Sequence, residues 1–185
     1  PKSHFALTFI MDHRMGAFQM GIRIDTFPWD ATDISDYIRP ETKAIVVESP
    51  TSQTFKVLDL PAICKSAHRN GLTVIADNTY ASGWFYKPLE LGCDLSMISG
   101  TKYLSGHADT MMGAVVAKIG PGEKLRHQTH LSGQLLAPDE AYACLRGMRT
   151  LALRMERHCE NALAIVDWLK KRREVKHIWH PALPN

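Results

Sequence analysis

The sequence has no long hydrophobic run, no closely spaced cysteine pair and little excess of charge. No apolar stretch approaches the roughly 20 residues that cross a bilayer, and the beginning of the chain does not resemble a signal peptide. The four cysteines have no CxxC spacing, which favours a reduced, cytoplasmic protein over a disulfide-bonded one. The formal net charge of +3 is too small to predict binding to nucleic acid or to a membrane surface.

The composition that remains is that of an ordinary globular protein. The 185 residues are 45% hydrophobic and 22% charged, so the chain has enough apolar residues to bury a core and is not disordered. Its length corresponds to one domain or to a large part of one. The chain starts without methionine and stops in the proline-rich stretch 180–185, so we expect it to be a portion of a longer polypeptide.

Residue patterns predict alternating strands and helices, which indicates an α/β protein with a mostly parallel sheet flanked by helices. Apolar and β-branched runs predict the strands, and capping residues with helical periodicity predict the helices. The predicted strands are Gly21–Phe27, Lys43–Glu48, Leu72–Asp77, Leu95–Ser99, Gly113–Ala117 and Val175–Trp179. The predicted helices are Ser3–Arg14, Asp33–Ile38, Asp59–Arg69, Gly122–His130, Pro138–Arg149 and Leu151–Arg172.

Polar residues stand where three of the predicted strands end. They are Glu48 with Ser49, Asp77 with Asn78, and the segment from Ser99 to Lys102. In an open α/β sheet, ligands bind beyond the carboxyl ends of the strands. The sequence therefore predicts a binding site at this edge of the sheet.

Lys102 and Asp77 are the residue types that pyridoxal phosphate chemistry requires at such an edge. A lysine amine forms an imine with an aldehyde cofactor, and a carboxylate paired with the pyridine nitrogen keeps the ring electron-withdrawing. The hydroxyls of Ser99 and Thr101, on either side of Gly100, are suited to hold a phosphate. Each residue taken alone also has an ordinary explanation: a solvated lysine, an aspartate in a turn, and a Ser/Thr turn.

Other kinds of site fit the sequence poorly. The lysine segment has no GxxxxGK[ST] pattern, so it is not a nucleotide-binding loop. His107 with Asp109, and Cys64 with His68, lack the further ligands of a zinc site, so we expect no metal. The basic run 170–173 is best explained as the solvated end of a helix.

Several ordered motifs resemble the Cys/Met-metabolism family of PLP-dependent enzymes. The most specific are Asp77-Asn-Thr and Ser99-Gly-Thr-Lys-Tyr-Leu-Ser-Gly-His. The similarity continues through Glu48-Ser-Pro, Lys87-Pro-Leu-Glu-Leu-Gly and Leu145-Arg-Gly-Met-Arg-Thr-Leu, so that it covers nearly the whole chain.

The resemblance implies a fold, a cofactor and an assembly. The fold is the large domain of the aspartate aminotransferase-like fold type I, with residues 1–150 as the central part of the PLP-binding domain. Residues 151–185 then form the connecting helix and the start of an incomplete C-terminal domain. Lys102 carries pyridoxal 5'-phosphate, Asp77 faces the pyridine nitrogen, and Ser99 and Thr101 contact the phosphate. The family assembles as homo-oligomers, usually tetramers built as dimers of dimers.

The resemblance also implies a reaction on a small amino-acid substrate. Members that catalyse γ-elimination or γ-replacement usually have Asn at the position of Ser52, whereas those that catalyse β-elimination often have Ser. Ser52 therefore favours β-elimination of L-cystathionine to homocysteine, pyruvate and ammonia. Gly100, in place of a more usual Ala, and Tyr80, where Trp is frequent, depart mildly from that pattern. A γ-reaction is the nearer alternative, and a non-catalytic protein of the same fold is the distant one.

Overall fold

A four-stranded sheet organises residues 21–184, which are the residues that the computed structural model describes. The strands are β1 (Ala44–Glu48), β2 (Thr73–Asp77), β3 (Leu95–Ser99) and β4 (Gly113–Ala117), and they lie side by side in sequence order. The pairs β1–β2 and β2–β3 are parallel, whereas β4 runs antiparallel to β3. The predicted mostly parallel sheet is thus confirmed.

Within residues 21–184, four helices follow or connect the strands. They are α1 (Leu60–Arg69), α2 (Pro121–Leu131), α3 (Pro138–Met148) and α4 (Leu151–Leu169), and a short 3-10 helix covers Ser35–Tyr37. Helix α1 begins where the sequence predicts, because the Asp59 carboxylate accepts a hydrogen bond of 3.1 Å from the Ala62 amide. Proline stands at the start of α1, α2 and α3, where a missing N–H costs nothing.

Helix α1 packs its apolar face against β1 and β2 and forms the main core. Leu60, Ile63, Cys64 and Ala67 of the helix lie in one buried cluster with Val47 and Val74 of the strands. Full burial of each aliphatic side chain of this size stabilises the fold by roughly 1.5–3 kcal/mol. A second, smaller cluster lies beside β3 and joins Ile98, Leu104 and Cys144. The second cluster therefore packs against the segment that carries Lys102, since Ile98 precedes that segment and Leu104 follows it.

Two predicted strands are wrong. Gly21–Phe27 and Val175–Trp179 have no regular secondary structure, because neither pairs with another strand within residues 21–184. A strand requires neighbouring backbone groups for its hydrogen bonds, and alternating apolar residues alone do not supply them. The predicted helix Ser3–Arg14 lies outside the described residues.

The other boundaries differ by a few residues. Helix α4 ends at Leu169 rather than at Arg172, and the predicted helix Asp33–Ile38 shortens to one 3-10 turn. None of the helices within residues 21–184 has the length and apolar composition needed to cross a membrane.

Candidate active site

A cavity of about 980 Å³ opens at the carboxyl edge of the sheet. The parallel register sets Glu48 beside Asp77, and Asp77 beside Met97, so the ends of three strands meet there as the sequence predicts. Polar side chains from these strand ends and from the loops beyond them line its wall, namely Glu48, Ser52, Asp77, Tyr80, Ser99 and Lys102. The structure thus brings together three of the four predicted site residues, Asp77, Ser99 and Lys102.

The Asp77 carboxylate is held by one oxygen only. Its Oδ1 accepts hydrogen bonds from the Thr79 amide at 3.0 Å and from the Thr79 hydroxyl at 2.6 Å. Within residues 21–184 no donor reaches its Oδ2. An oriented carboxylate with a free oxygen at the wall of a cavity is suited to bind a cationic N–H group of a ligand.

Thr79 connects the two sequence motifs of the site. Its Oγ1 donates to Asp77 and accepts a hydrogen bond of 2.9 Å from the Ser99 amide. The side chain is only 9% exposed, so water competes little for these bonds. The end of β2 and the start of the lysine segment are therefore joined through one hydroxyl. The sequence analysis assigns Thr79 no role, although the Asp77-Asn-Thr79 spacing is visible in the sequence.

Lys102 stands on a compact turn that directly follows β3. Its amide donates to the Ser99 carbonyl at 3.2 Å, and its carbonyl accepts from the Gly106 amide at 2.9 Å. The Ser105 amide closes the same turn by donating to the Gly100 carbonyl at 2.9 Å. The lysine side chain is exposed, and its ammonium group has no hydrogen bond or ion pair with any other residue in the described range 21–184. The backbone is fixed, while the amine is left available to a ligand.

Thr101 differs from the other predicted site residues because it does not line the cavity. Its hydroxyl donates to the Met112 carbonyl at 3.2 Å and accepts from the Met112 amide at 2.9 Å. These bonds fasten the lysine turn to the segment just before β4. A Cβ on Gly100 would lie 2.7 Å from the Met112 side chain, so the glycine at this position makes room for Met112.

A second polar group lies on the β1 side of the cavity. Glu48 is 6% exposed and accepts a hydrogen bond from the Ser52 hydroxyl. Burial raises the pKa of the neighbouring Tyr80 phenol, and the Glu48 charge raises it further. Tyr80 is therefore a neutral donor at physiological pH, and its ring meets the Phe55 ring edge-on at 5.6 Å between centroids.

No metal site competes with this interpretation inside the described range. Among residues 21–184 no three His, Cys, Asp or Glu side chains cluster as metal ligands would. His68 instead pairs with Asp94 at 3.0 Å, and the His107 ring lies 3.0 Å from the Ser105 carbonyl.

Comparison with known proteins assigns the chain to a family. The family described as "Cys/Met metabolism PLP-dependent enzyme" matches residues 9–185. The cystathionine β-lyase of Salmonella typhimurium is 41% identical over 90% of this chain and 43% of its own length. The L-methionine γ-lyase of Fusobacterium nucleatum is 37% identical over 98% of this chain and 47% of its own length.

A solved structure agrees with the sequence matches. The cystathionine γ-lyase of Lactobacillus plantarum, crystallised with L-serine, superposes with a TM-score of 0.92 at 37% identity. The match covers 98% of this chain and 48% of that one. The chain thus spans a little under half the length of the relatives that it matches. The family match and the shared fold together show that this chain belongs to the Cys/Met-metabolism family of PLP-dependent enzymes, whose fold is fold type I.

Proposed function

We propose that the cavity at the sheet edge binds pyridoxal 5'-phosphate, with Lys102 as the covalent attachment point and Asp77 opposite the pyridine nitrogen. The observation that carries the proposal is that Lys102 and Asp77 line one cavity of about 980 Å³. Within residues 21–184, neither the lysine amine nor the outer carboxylate oxygen has a partner. An amine and a carboxylate oxygen of opposite charge that share one cavity without such a partner are both available to a ligand.

The residues of the cavity offer partners for the aldehyde, the pyridine nitrogen and the phosphate of the cofactor. A primary amine is the group that condenses with an aldehyde, and a fixed carboxylate is the group that keeps a pyridine nitrogen protonated. The Ser99 hydroxyl has no hydrogen bond within residues 21–184, so it is available for the phosphate. Thr101 would contact the phosphate only if its hydroxyl turned away from Met112, and otherwise supports Ser99 by holding the turn.

The reaction we propose is β-elimination of L-cystathionine. Bound PLP supplies an electron sink for the negative charge that develops at the substrate Cα. The Lys102 amine would be the base that takes the substrate Cα proton and holds it on Nζ. Asp77, fixed by Thr79, holds the proton on the pyridine nitrogen. The bond from Cβ to sulfur then breaks, and with one water the products are homocysteine, pyruvate and ammonia.

Two observations support β-elimination over the γ-reaction. Ser52 lines the cavity at the position where the resemblance associates serine with β-elimination. The cystathionine β-lyase of Salmonella typhimurium is also slightly more similar to this chain than the methionine γ-lyase of Fusobacterium nucleatum. The nearer alternative, γ-elimination, is favoured by the similarity to a cystathionine γ-lyase structure.

Product analysis separates the two reactions. Cleavage at Cβ of cystathionine gives homocysteine and pyruvate, whereas cleavage at Cγ gives cysteine and 2-oxobutyrate. We expect the purified protein, supplied with PLP, to form pyruvate and homocysteine in equal amounts. Formation of 2-oxobutyrate with cysteine would replace the proposal by γ-elimination. A protein that binds PLP but forms neither oxoacid would be a non-catalytic member of the fold.

A matched pair of lysine variants tests the cofactor site separately from the reaction. Lys102→Ala should lose the visible absorbance band that PLP gives when it is attached to the protein. Lys65→Ala, at an exposed position on α1, should keep that band. Equal bands in both variants would remove Lys102 from the site.

We also propose that the active form is a homo-oligomer, a tetramer built as a dimer of dimers. The proposal rests on the family resemblance and is supported by exposed apolar side chains on α3 and α4, such as Tyr142, Leu145 and Leu153. Sedimentation velocity of the PLP-loaded protein should give a species of four chains. A monomer at micromolar concentration would contradict this part of the proposal.

A further inference from the structure

The turn that carries Lys102 is held from the outside by one arginine of helix α4. The Arg154 Nη1 donates a hydrogen bond of 2.8 Å to the carbonyl of Tyr103, the residue next to the lysine. Its Nη2 donates to the Gly147 carbonyl at 2.9 Å, and its Nε meets the Thr150 hydroxyl at 3.0 Å. One guanidinium thus joins the lysine turn to the end of α3 and to the start of α4.

Two glycines provide the space for this contact. Gly106 has a φ of +70°, and a Cβ on it would lie 2.4 Å from the Arg154 Cζ. Gly147 lies on α3, and a Cβ there would lie 2.0 Å from the Ser105 carbonyl oxygen. The helices therefore approach the turn more closely than any other residue at these two positions allows.

Apolar packing holds the same three parts together. Leu104 of the turn, Ile98 of β3 and Cys144 of α3 form one buried cluster, and Leu151 of α4 packs against it. The backbone of Lys102 is consequently fixed by its own turn, by the second core and by Arg154. The Lys102 carbonyl accepts hydrogen bonds from within the turn, whereas the arginine holds the Tyr103 carbonyl, one peptide group further along.

We propose that Arg154 is a positioning residue for Lys102, which fixes the backbone from which the lysine side chain reaches the cavity. The expected effect of Arg154 on PLP binding rests on the proposed function, whereas its effect on the backbone of the lysine turn is independent of that function. A guanidinium suits the role because its planar set of donors reaches three acceptors at once, and a lysine ammonium does not reproduce that geometry. Arg154 does not line the cavity, so we expect it to affect a ligand there through the lysine turn.

The test compares Arg154→Gln and Arg154→Lys with Arg157→Gln in the purified protein. Arg157 is a matched control, because it lies three residues further along α4, is exposed and pairs only with Glu160 among residues 21–184. Two quantities are measured: amide hydrogen exchange of peptides covering 99–106 without PLP, and the dissociation constant for PLP from the visible band.

We expect Arg154→Gln to raise exchange in residues 101–106 by about tenfold and to weaken PLP binding by about tenfold, since a charge-assisted hydrogen bond is lost. Arg154→Lys should fall between this variant and the parent, and Arg157→Gln should match the parent. If Arg154→Gln does not fold, Thr150→Val removes one partner of the guanidinium and should raise exchange in the same segment by about threefold.

Two results would overturn the proposal. One is exchange in 101–106 that is the same in the Arg154 and Arg157 variants. The other is exchange that rises equally in α1 and β1, which would make the arginine a general stabiliser of the fold. A parent protein that binds no PLP would refute the proposed function, while the exchange measurement would still decide the role of Arg154.

Discussion

Replacing Thr79 by valine tests whether the hydrogen bonds that link Asp77 to Ser99 stabilise the fold and the site. Valine keeps the shape of the side chain but removes the hydroxyl, so two hydrogen bonds are lost. The Ser99 amide then has no acceptor within residues 21–184, which costs about 1 kcal/mol at this partly buried position. Asp77 loses one donor but keeps the Thr79 amide, and water reaches its carboxylate from the cavity. We therefore expect the free energy of unfolding to fall by about 2 kcal/mol.

The same substitution should weaken PLP binding by about tenfold, because the carboxylate is no longer held in one orientation. Denaturant unfolding followed by circular dichroism measures the first effect, and titration of the visible PLP band measures the second. Thr79→Ser is the control, since it keeps the hydroxyl and loses one methyl, worth about 0.8 kcal/mol. A valine variant that binds PLP as tightly as the serine variant would refute the reasoning.

Three further predictions concern stability and thiol reactivity. Burial raises the pKa of the Asp94 carboxyl, but hydrogen bonds from a backbone amide and from a histidine outweigh it and hold that pKa below the ordinary 3.8. The carboxylate therefore stabilises the fold above about pH 4, and this contribution is lost as the pH falls through the pKa of the folded protein. In urea unfolding at pH 6, the free energy of unfolding of Asp94→Asn should be about 1–2 kcal/mol below that of the parent. This difference should become smaller as the pH is lowered toward about 2. In urea unfolding, Gly147→Ala should lower the free energy of unfolding by about 1–3 kcal/mol, because its Cβ would overlap the Ser105 carbonyl. Gly113→Ala, with open space at its Cβ, should change that free energy by less than about 0.5 kcal/mol. Ellman's reagent should modify only Cys159 in the folded protein, because the other three thiols are buried, and fast reaction of a second thiol would contradict the packing.

Local sequence signals predicted the elements that carry the site. The β-branched runs gave β3 and β4 with the observed bounds, and Asp59 with Pro61 marked the start of α1. These signals work because cap chemistry and burial of a short apolar run depend on neighbouring residues. Asp77 and Lys102 were predictable for the related reason that polar residues directly after buried strands lie at one sheet edge.

Other features of the site and the fold could not be predicted, because they depend on contacts between distant parts of the chain. The role of Thr79 follows from the register of β2 and β3, and that of Arg154 from a contact 51 residues away in sequence. The hydroxyl of Thr101 looked as available as that of Ser99, and only the fold shows that it bonds to Met112. The strand predicted at Gly21–Phe27 failed because pairing is a tertiary property, and Ile22 within it is 51% exposed.

The central claim is that Lys102 is the residue that attaches PLP. Borohydride reduction of the PLP-loaded protein, followed by proteolysis and mass spectrometry, identifies the lysine that bears the cofactor. The account predicts a pyridoxyl group on Lys102 in the peptide that contains Ser99 to Lys102, and none in the Lys102→Ala variant. A pyridoxyl group on a different lysine, or its absence from the reduced parent protein, would contradict the account.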